Sequence, residues 1–360
     1  MSKKLRCLLS NIHAVWNYRK RNVILSNLPT LLWIEPTNVC NLRCIMCPNK
    51  QIPKEKLGYM EWDVYKKIID EARTFACSAY LLIAGESLLH KDIYRMIRYA
   101  RENGIRPLLN TNGTTLVHEE NIQRLLNAEP QHITFAFDGY DKETYEKIRV
   151  GARYEKTIEG IVNFLKAKKA LGRKKPFVAI TTLLVGIEEY GNVEKARDEF
   201  HQIFAGLPVD EFIEKTPNTW GGTFKETTEF YHHEPGKDFY PCSHLWSTMS
   251  IRWDGTVLPC CFDFFNTYTL GNVKERSLRQ IWNDEPMRQL RKSMLDGTYT
   301  DVNPLCEQCV ILTLDPILGL PAGMRAAFAD SVTNLLGIGL EKYLIKLAKW
   351  VQPSFSLDIR

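Results

Sequence analysis

From residue 30 onward, short apolar runs alternate with longer segments whose apolar positions recur at helical spacing. The runs "TLLWIEP" (30–36), "AYLLIAG" (79–85), "IRPLLNT" (105–111), "HITFAFDG" (132–139), "FVAITTLLV" (177–185) and "VDEFIEK" (209–215) have the length and residue types of buried strands. Between them, "EWDVYKKIIDEARTF", "DIYRMIRYAREN", "EENIQRLLNA", "YEKTIEGIVNFLKAKKALG" and "NVEKARDEFHQIF" carry the one-sided apolar pattern of helices packed on a sheet. Six strand–helix units in succession predict an α/β fold with a parallel sheet, either a partial barrel or a doubly wound sheet.

The rhythm stops near Trp220-Gly221-Gly222. This predicts four zones: a basic helical extension over 1–29, a strand–helix body over 30–220, a cysteine-rich domain over 221–312 and an amphipathic tail over 313–360. The third zone is too short to build a large core alone, so a metal centre is the expected staple. One helix is predicted there, "SLRQIWNDEPMRQLRKSMLDG". In the tail, Leu336, Leu340, Leu344, Leu347 and Val351 fall on one helical face, with Lys342, Lys346 and Lys349 on the other. Such a helix docks on the body or a second subunit, or lies at a membrane interface with Tyr343 and Trp350 as anchors.

Charged residues make up 25% and hydrophobic ones 44%, values of a folded soluble protein. The net charge of +5 favours acidic partners, and no nucleic-acid partner is expected. No apolar run approaches the ~20 residues of a membrane-spanning helix. In the basic first segment Asn11, His13 and Asn17 interrupt the apolar run and no cleavage site follows, which argues against a signal peptide. The expected location is therefore the cytoplasm, with peripheral membrane contact through the tail as the variant. There the ten cysteines point to metal or redox chemistry rather than disulfides.

Cys40, Cys44 and Cys47 stand at C-x3-C-x2-C spacing directly after the first strand. Thiolates suit iron–sulfur clusters and zinc, and three of them leave a coordination position open, as catalytic metal sites do. A zinc clip with a distant fourth ligand is the bland alternative. Three further stretches follow strand ends: "AGESLLH" (84–90), "NTNGT" (110–114) and "FDGYDKETYEKIRVGARY" (137–154).

With these in place the sequence resembles the radical S-adenosylmethionine (SAM) superfamily. The resemblance implies a partial (β/α)6 barrel and a 4Fe–4S cluster on the three cysteines, whose open iron binds SAM. Its reductive cleavage would give a 5′-deoxyadenosyl radical that takes a hydrogen atom from substrate. Ala84, Gly85 and Glu86 are similar to the family's Gly-Gly-Glu-Pro motif for the SAM amino group, with Ala84 for the first Gly and Ser87 for Pro. Asn110 and Asn112 lie in its "TNGT"-like stretch. Asp138 and Arg149 match the stretch of the SPASM branch, Arg149 as partner of the SAM carboxylate. Two positions depart: Ala136 stands where the family often has Ser, and Met46 where an aromatic residue commonly packs on adenine.

The later set, Cys242, Cys260, Cys306 and Cys309, fits C-x(9–15)-G-x4-C through Gly255 and closes with C-x2-C. It resembles the short twitch form of SPASM, which implies one auxiliary 4Fe–4S cluster with four protein ligands; a structural zinc is the alternative. The Gly-x4-Cys rule leaves Cys261 spare, as a packed residue or as a hydrogen-atom donor. Asp263 is a candidate base or ligand-orienting group set against a plain surface carboxylate, and His244 is a second candidate base. Cys7 and Cys77 show no partner pattern and read as buried structural residues.

The resemblance thus implies an oxidoreductase or epimerase acting on a small molecule, a sugar, aminocyclitol or nucleotide-linked glycan, with flavodoxin or ferredoxin as electron donor. A ribosomal peptide is second, demoted because only 39 residues precede Cys40. A lipid-linked substrate goes with a membrane-bound tail. A non-catalytic iron–sulfur or zinc protein is the reading from another class.

Overall fold

The computed structural model describes residues 2–184, 192–215, 220, 239–307, 309–313, 324, 325, 328, 331 and 332. Six strands, β1 (Leu31–Ile34), β2 (Ser78–Leu81), β3 (Arg106–Thr111), β4 (His132–Ala136), β5 (Phe177–Leu183) and β6 (Glu211–Lys215), pair in parallel in chain order. A doubly wound sheet would reverse its order at a switch point. None occurs, so the partial barrel is the arrangement adopted. All six strands coincide with predicted runs.

Helix α1 (Lys3–Arg19) precedes the sheet, and α2 (Trp62–Ala72), α3 (Ile93–Glu102), α4 (Glu119–Ala128), α5 (Lys142–Ile148), α6 (Tyr154–Ala170) and α7 (Val193–Gln202) connect its strands. Their buried faces follow the sequence period: α3 turns Ile93, Met96, Ile97 and Ala100 inward. The central strands are buried on both faces, which explains their nearly continuous apolar runs.

The cysteine-rich region is built onto this sheet. After α8 (His244–Ser247), β7 (Thr248–Ile251) pairs in parallel with the outer edge of β1, Leu31 opposite Thr248. A turn leads into antiparallel β8 (Thr256–Leu258) and then β9 (Gly271–Asn272). Gly255 takes φ +90° there, and a Cβ would stand 2.8 Å from Asn272 Oδ1, so only glycine fits this turn.

Two expectations are corrected. The single helix predicted over 277–297 is two, α9 (Leu278–Trp282) and α10 (Glu285–Asp296). Pro286, lacking an N–H, cannot bond back to the carbonyl one turn earlier, and the chain breaks at Asn283-Asp284. Cys7 and Cys77, read as unpartnered, form a disulfide across a sequence separation of 70, with Cα atoms 5.7 Å apart. It forms because α1 lies across the N-terminal ends of the strands. Thr30 Oγ1, just before β1, donates to Asn11 Oδ1, and Lys3 Nζ donates to the Asn103 carbonyl shortly before β3. A short α11 (Tyr299–Val302) follows α10. The expected boundary at 221 and most of the 313–360 tail lie outside the described residues.

Candidate functional site

Beyond β1 the strand direction continues for one residue, as the Glu35 amide donates to Ile251 O (2.9 Å), and the chain then turns into the three-cysteine loop. That loop is tied at its neck by Asn49 Nδ2 donating to Asn38 O (2.8 Å), while Asn38 Oδ1 accepts from the Gly58 amide (2.8 Å). Its far side rests on the segment after α5 through Arg43 N to Val150 O and Ile45 N to Ile148 O. Cys44 is buried and Cys40 and Cys47 are partly so. Burial pushes the Cys40 thiol up to about 12 and Cys47 to about 11. Cys44 is raised by burial as well, with Arg149 opposing. Uncomplexed, all three are neutral thiols, and metal binding would displace their protons.

The strand-end motifs meet this loop. The strip 84–86 lies directly on residues 37–39: Gly85 has φ +76°, and a Cβ there would stand 2.5 Å from Thr37 O. The Glu86 amide donates to Val39 O (2.8 Å). Its buried carboxylate accepts from the Asn112 amide (2.7 Å), Thr111 Oγ1 (2.8 Å) and the Leu88 amide (3.1 Å), joining the ends of β2 and β3. Asn112 Nδ2 donates to Asn41 Oδ1 (3.0 Å), between Cys40 and Cys44. Asn110 Oδ1 is buried without a hydrogen-bond partner. Asp138, past the end of β4, accepts from Arg149 Nε (2.8 Å) and Nη2 (2.5 Å), and its other oxygen accepts from the Leu183 amide on β5 (2.9 Å). Burial opposes the Arg149 charge, but Asp138 and Cys44 beside it outweigh that and raise its pKa. Met46 is buried, and its carbonyl accepts from Trp220 Nε1 (3.0 Å). Everything gathers at the C-terminal ends of β1–β5, where barrels of this kind place their chemistry.

Cys242, Cys260, Cys306 and Cys309 line one cavity with about 410 Å³ of empty space, part of it open to solvent. Its remaining wall is almost wholly apolar, including Leu245, Leu290, Met294 and Leu305. Burial raises the Cys242 and Cys306 thiols and pushes Cys309 up to about 12. For Cys260 the neighbouring Cys261 thiol is the larger influence, burial the next. Among the described residues no three His, Cys, Asp or Glu side chains converge on a single-ion position. Four soft thiols around an apolar cavity, with the Phe262 amide donating to Cys260 Sγ (3.4 Å), fit an iron–sulfur cluster. In the first loop, the Leu42 amide directed at Cys40 Sγ (3.5 Å) and Arg149 beside Cys44 likewise fit an anionic thiolate-bound cluster.

Three predicted groups are placed differently from a free acid or base. Asp263 is buried, not a surface carboxylate, and its oxygens accept from the amides of Phe265, Thr267 and Tyr268 (3.2, 2.9 and 3.0 Å), so it shapes the loop after Cys260. His244 is buried in α8, burial pushes its pKa down to about 4, and its Nε2 has no partner. Cys261 is buried against Cys260 and off the cavity wall.

The sequence reading missed Glu35 and Arg252. Glu35 Oε2 accepts from Arg252 Nε at 2.7 Å, and Oε1 accepts from the Ala84 amide (3.1 Å). Arg252 Nη1 donates onward to Phe264 O (2.8 Å) and Asn266 Oδ1 (3.1 Å). One buried ion pair therefore links the strip beside the three cysteines to the loop following Cys260. The signal was present: a carboxylate inside the apolar run "TLLWIEP" requires a buried partner.

Residues 34–200 match the Radical SAM superfamily and residues 242–310 match SPASM, an iron–sulfur cluster-binding domain. The tungsten-containing aldehyde ferredoxin oxidoreductase cofactor-modifying protein of Pyrococcus furiosus is 27% identical over 319 residues, 77% of this chain and 86% of that protein. A probable GTP 3',8-cyclase of Methanococcus maripaludis is 30% identical over 264 residues, 66% of this chain and 86% of that one. The crystal structure of BtrN in complex with AdoMet and 2-DOIA shares the fold, with a TM-score of 0.53 at 19% identity, over 81% of this chain and 97% of that one.

Fold and site thus define a partial-barrel enzyme with an attached iron–sulfur domain. The chain belongs to the radical SAM superfamily, in its SPASM-containing branch. Its cofactors are a 4Fe–4S cluster, SAM and auxiliary iron–sulfur.

Proposed function

We propose that Cys40, Cys44 and Cys47 hold the SAM-binding cluster, that Cys242, Cys260, Cys306 and Cys309 hold one auxiliary cluster, and that the enzyme oxidises or epimerises a small polyhydroxylated molecule, a sugar or aminocyclitol. The observation that carries the first assignment is the set of hydrogen bonds that gathers residues from the ends of β1–β5 around the three-cysteine loop. When bound, cluster and SAM together supply a one-electron cleavage that ends in removal of a substrate hydrogen atom. The chain's own residues bind and orient. Arg149, held by Asp138 through Nε and Nη2, would serve the SAM carboxylate with its remaining N–H groups beside Cys44, the backbone of Ala84–Gly85 would hold the amino group, and buried Asn110 Oδ1 is an unpartnered acceptor. Glu86 and Asp138, their oxygens occupied, act as positioning residues. Cys261 is assigned to packing on Cys260, and Asp263 to loop shape.

The small-molecule class is supported by a relative named for GTP and by a structural neighbour bound to 2-DOIA. The test is deuterium transfer. Ring-deuterated sugars and aminocyclitols are incubated with reduced enzyme and SAM, and 5′-deoxyadenosine is analysed by mass. Label arriving from that class supports the assignment; label arriving only from a deuterated peptide overturns it.

Asn303 gives a further expectation. It lines the auxiliary cavity; its Oδ1 accepts from the Leu305 amide (3.2 Å), while its Nδ2 is buried and unpartnered. Hydrogen bonds to cluster sulfurs raise reduction potentials. Asn303→Leu is therefore expected to lower the auxiliary potential in an EPR-monitored titration without changing iron content; an unchanged potential would remove the assignment.

A further inference from the structure

Helix α1 is mounted inside out. It buries Cys7, Asn11, Ala14 and Asn17 against the barrel, while Leu5, Leu9, Ile12 and Trp16 are between 40 and 51% exposed. Their spacing of four, three and four residues makes one continuous outer stripe, prolonged by exposed Ile24. A helix docked only for stability turns such a stripe inward. Here the buried asparagines fix the rotation instead: Asn11 Oδ1 accepts from Thr30 and its Nδ2 meets Ser331, while Asn17 Nδ2 donates to Asn27 Oδ1 (2.8 Å). The Cys7–Cys77 disulfide clamps the same face.

The charge around the stripe has one sign. Residues 1–34 contain no Asp or Glu but include Lys3, Lys4, Arg6, Arg19, Lys20 and Arg21, six positive charges in a chain of net +5. Of these, Lys4, Arg19, Lys20 and Arg21 are exposed beside or just beyond the stripe. An apolar stripe carrying Trp and bordered by exposed cations is the pattern of a helix lying in a membrane interface. Among the described residues no helix is long and apolar enough to cross a membrane.

We propose that this face of α1 docks on an anionic lipid surface. The other occupants fit its charge poorly. The tail's apolar face comes with Lys342, Lys346 and Lys349, and a second copy brings the same six cations, whereas anionic headgroups neutralise them. Docking there also suits the fold. Because α1 lies across the N-terminal ends of the strands, docking there would leave the opposite rim, with the three-cysteine loop, turned to water.

The test is flotation of the reconstituted full chain with phosphatidylcholine vesicles and with vesicles also containing phosphatidylglycerol. Wild type is expected to float with the anionic vesicles only and to be released by high salt. A Leu9→Glu/Trp16→Glu variant, altered only on the exposed face, should lose about tenfold or more in partitioning at unchanged iron content and helicity. A Leu340→Glu/Leu344→Glu variant should float like wild type. No flotation of wild type overturns the proposal. So does loss in the tail variant alone, or an α1 variant that merely converts a dimer to a monomer.

Discussion

Cys44→Ala is expected to abolish 5′-deoxyadenosine formation while leaving about half the iron in place. Cys44 is the most buried of the three loop thiols and the one beside Arg149, so its loss removes a ligand and strands a guanidinium. The auxiliary thiols lie in another element set, around their own cavity, and should still load. Cys306→Ala should do the reverse, keeping the SAM-responsive EPR signal with half the iron. Iron and sulfide analysis with EPR, before and after adding SAM, reads both. Loss of all iron in either variant would mean that the two sets do not load independently.

The second large effect is structural. Arg252→Met leaves the Glu35 carboxylate buried without its partner and frees the Phe264 carbonyl and Asn266, a loss of about 3–5 kcal/mol in apparent stability. Glu35→Gln/Arg252→Met, which removes both charges, should recover most of it. Anaerobic denaturation of the single and double variants measures this. If the single variant unfolds with wild type, the pair is not the strut between the two loops. The pair couples the strip under the three-cysteine loop to the loop after Cys260, so the single variant should also lower retention of both clusters.

What could be read from the sequence divides by range. The strands and helices of the barrel were legible because each carries its period within about ten residues, as in "HITFAFDG" or "DIYRMIRYAREN". Strand β7 was not, since its four residues are fixed by pairing with β1 more than 200 positions away. The α9–α10 break was hidden because apolar spacing continues across it; only Pro286 betrayed it. At the site, cysteine spacing and strand-end motifs are local and could be read directly. Whether a motif residue has its polar atoms free or occupied is not local. Glu86 and Asp138 are engaged by amides or side chains from other segments and Asp263 by amides of its own loop, while Asn110 and Asn303 keep unpartnered atoms. The orientation of α1 was equally hidden, because only the buried contacts of Asn11 and Asn17 show which face is outward.

The most direct test of two clusters serving SAM cleavage is a product assay on metal-analysed protein. After anaerobic reconstitution, the chain should hold iron and sulfide for two four-iron clusters and, with dithionite and SAM, release 5′-deoxyadenosine. Fully loaded protein that releases none, or a chain that takes up zinc without sulfide, would contradict it.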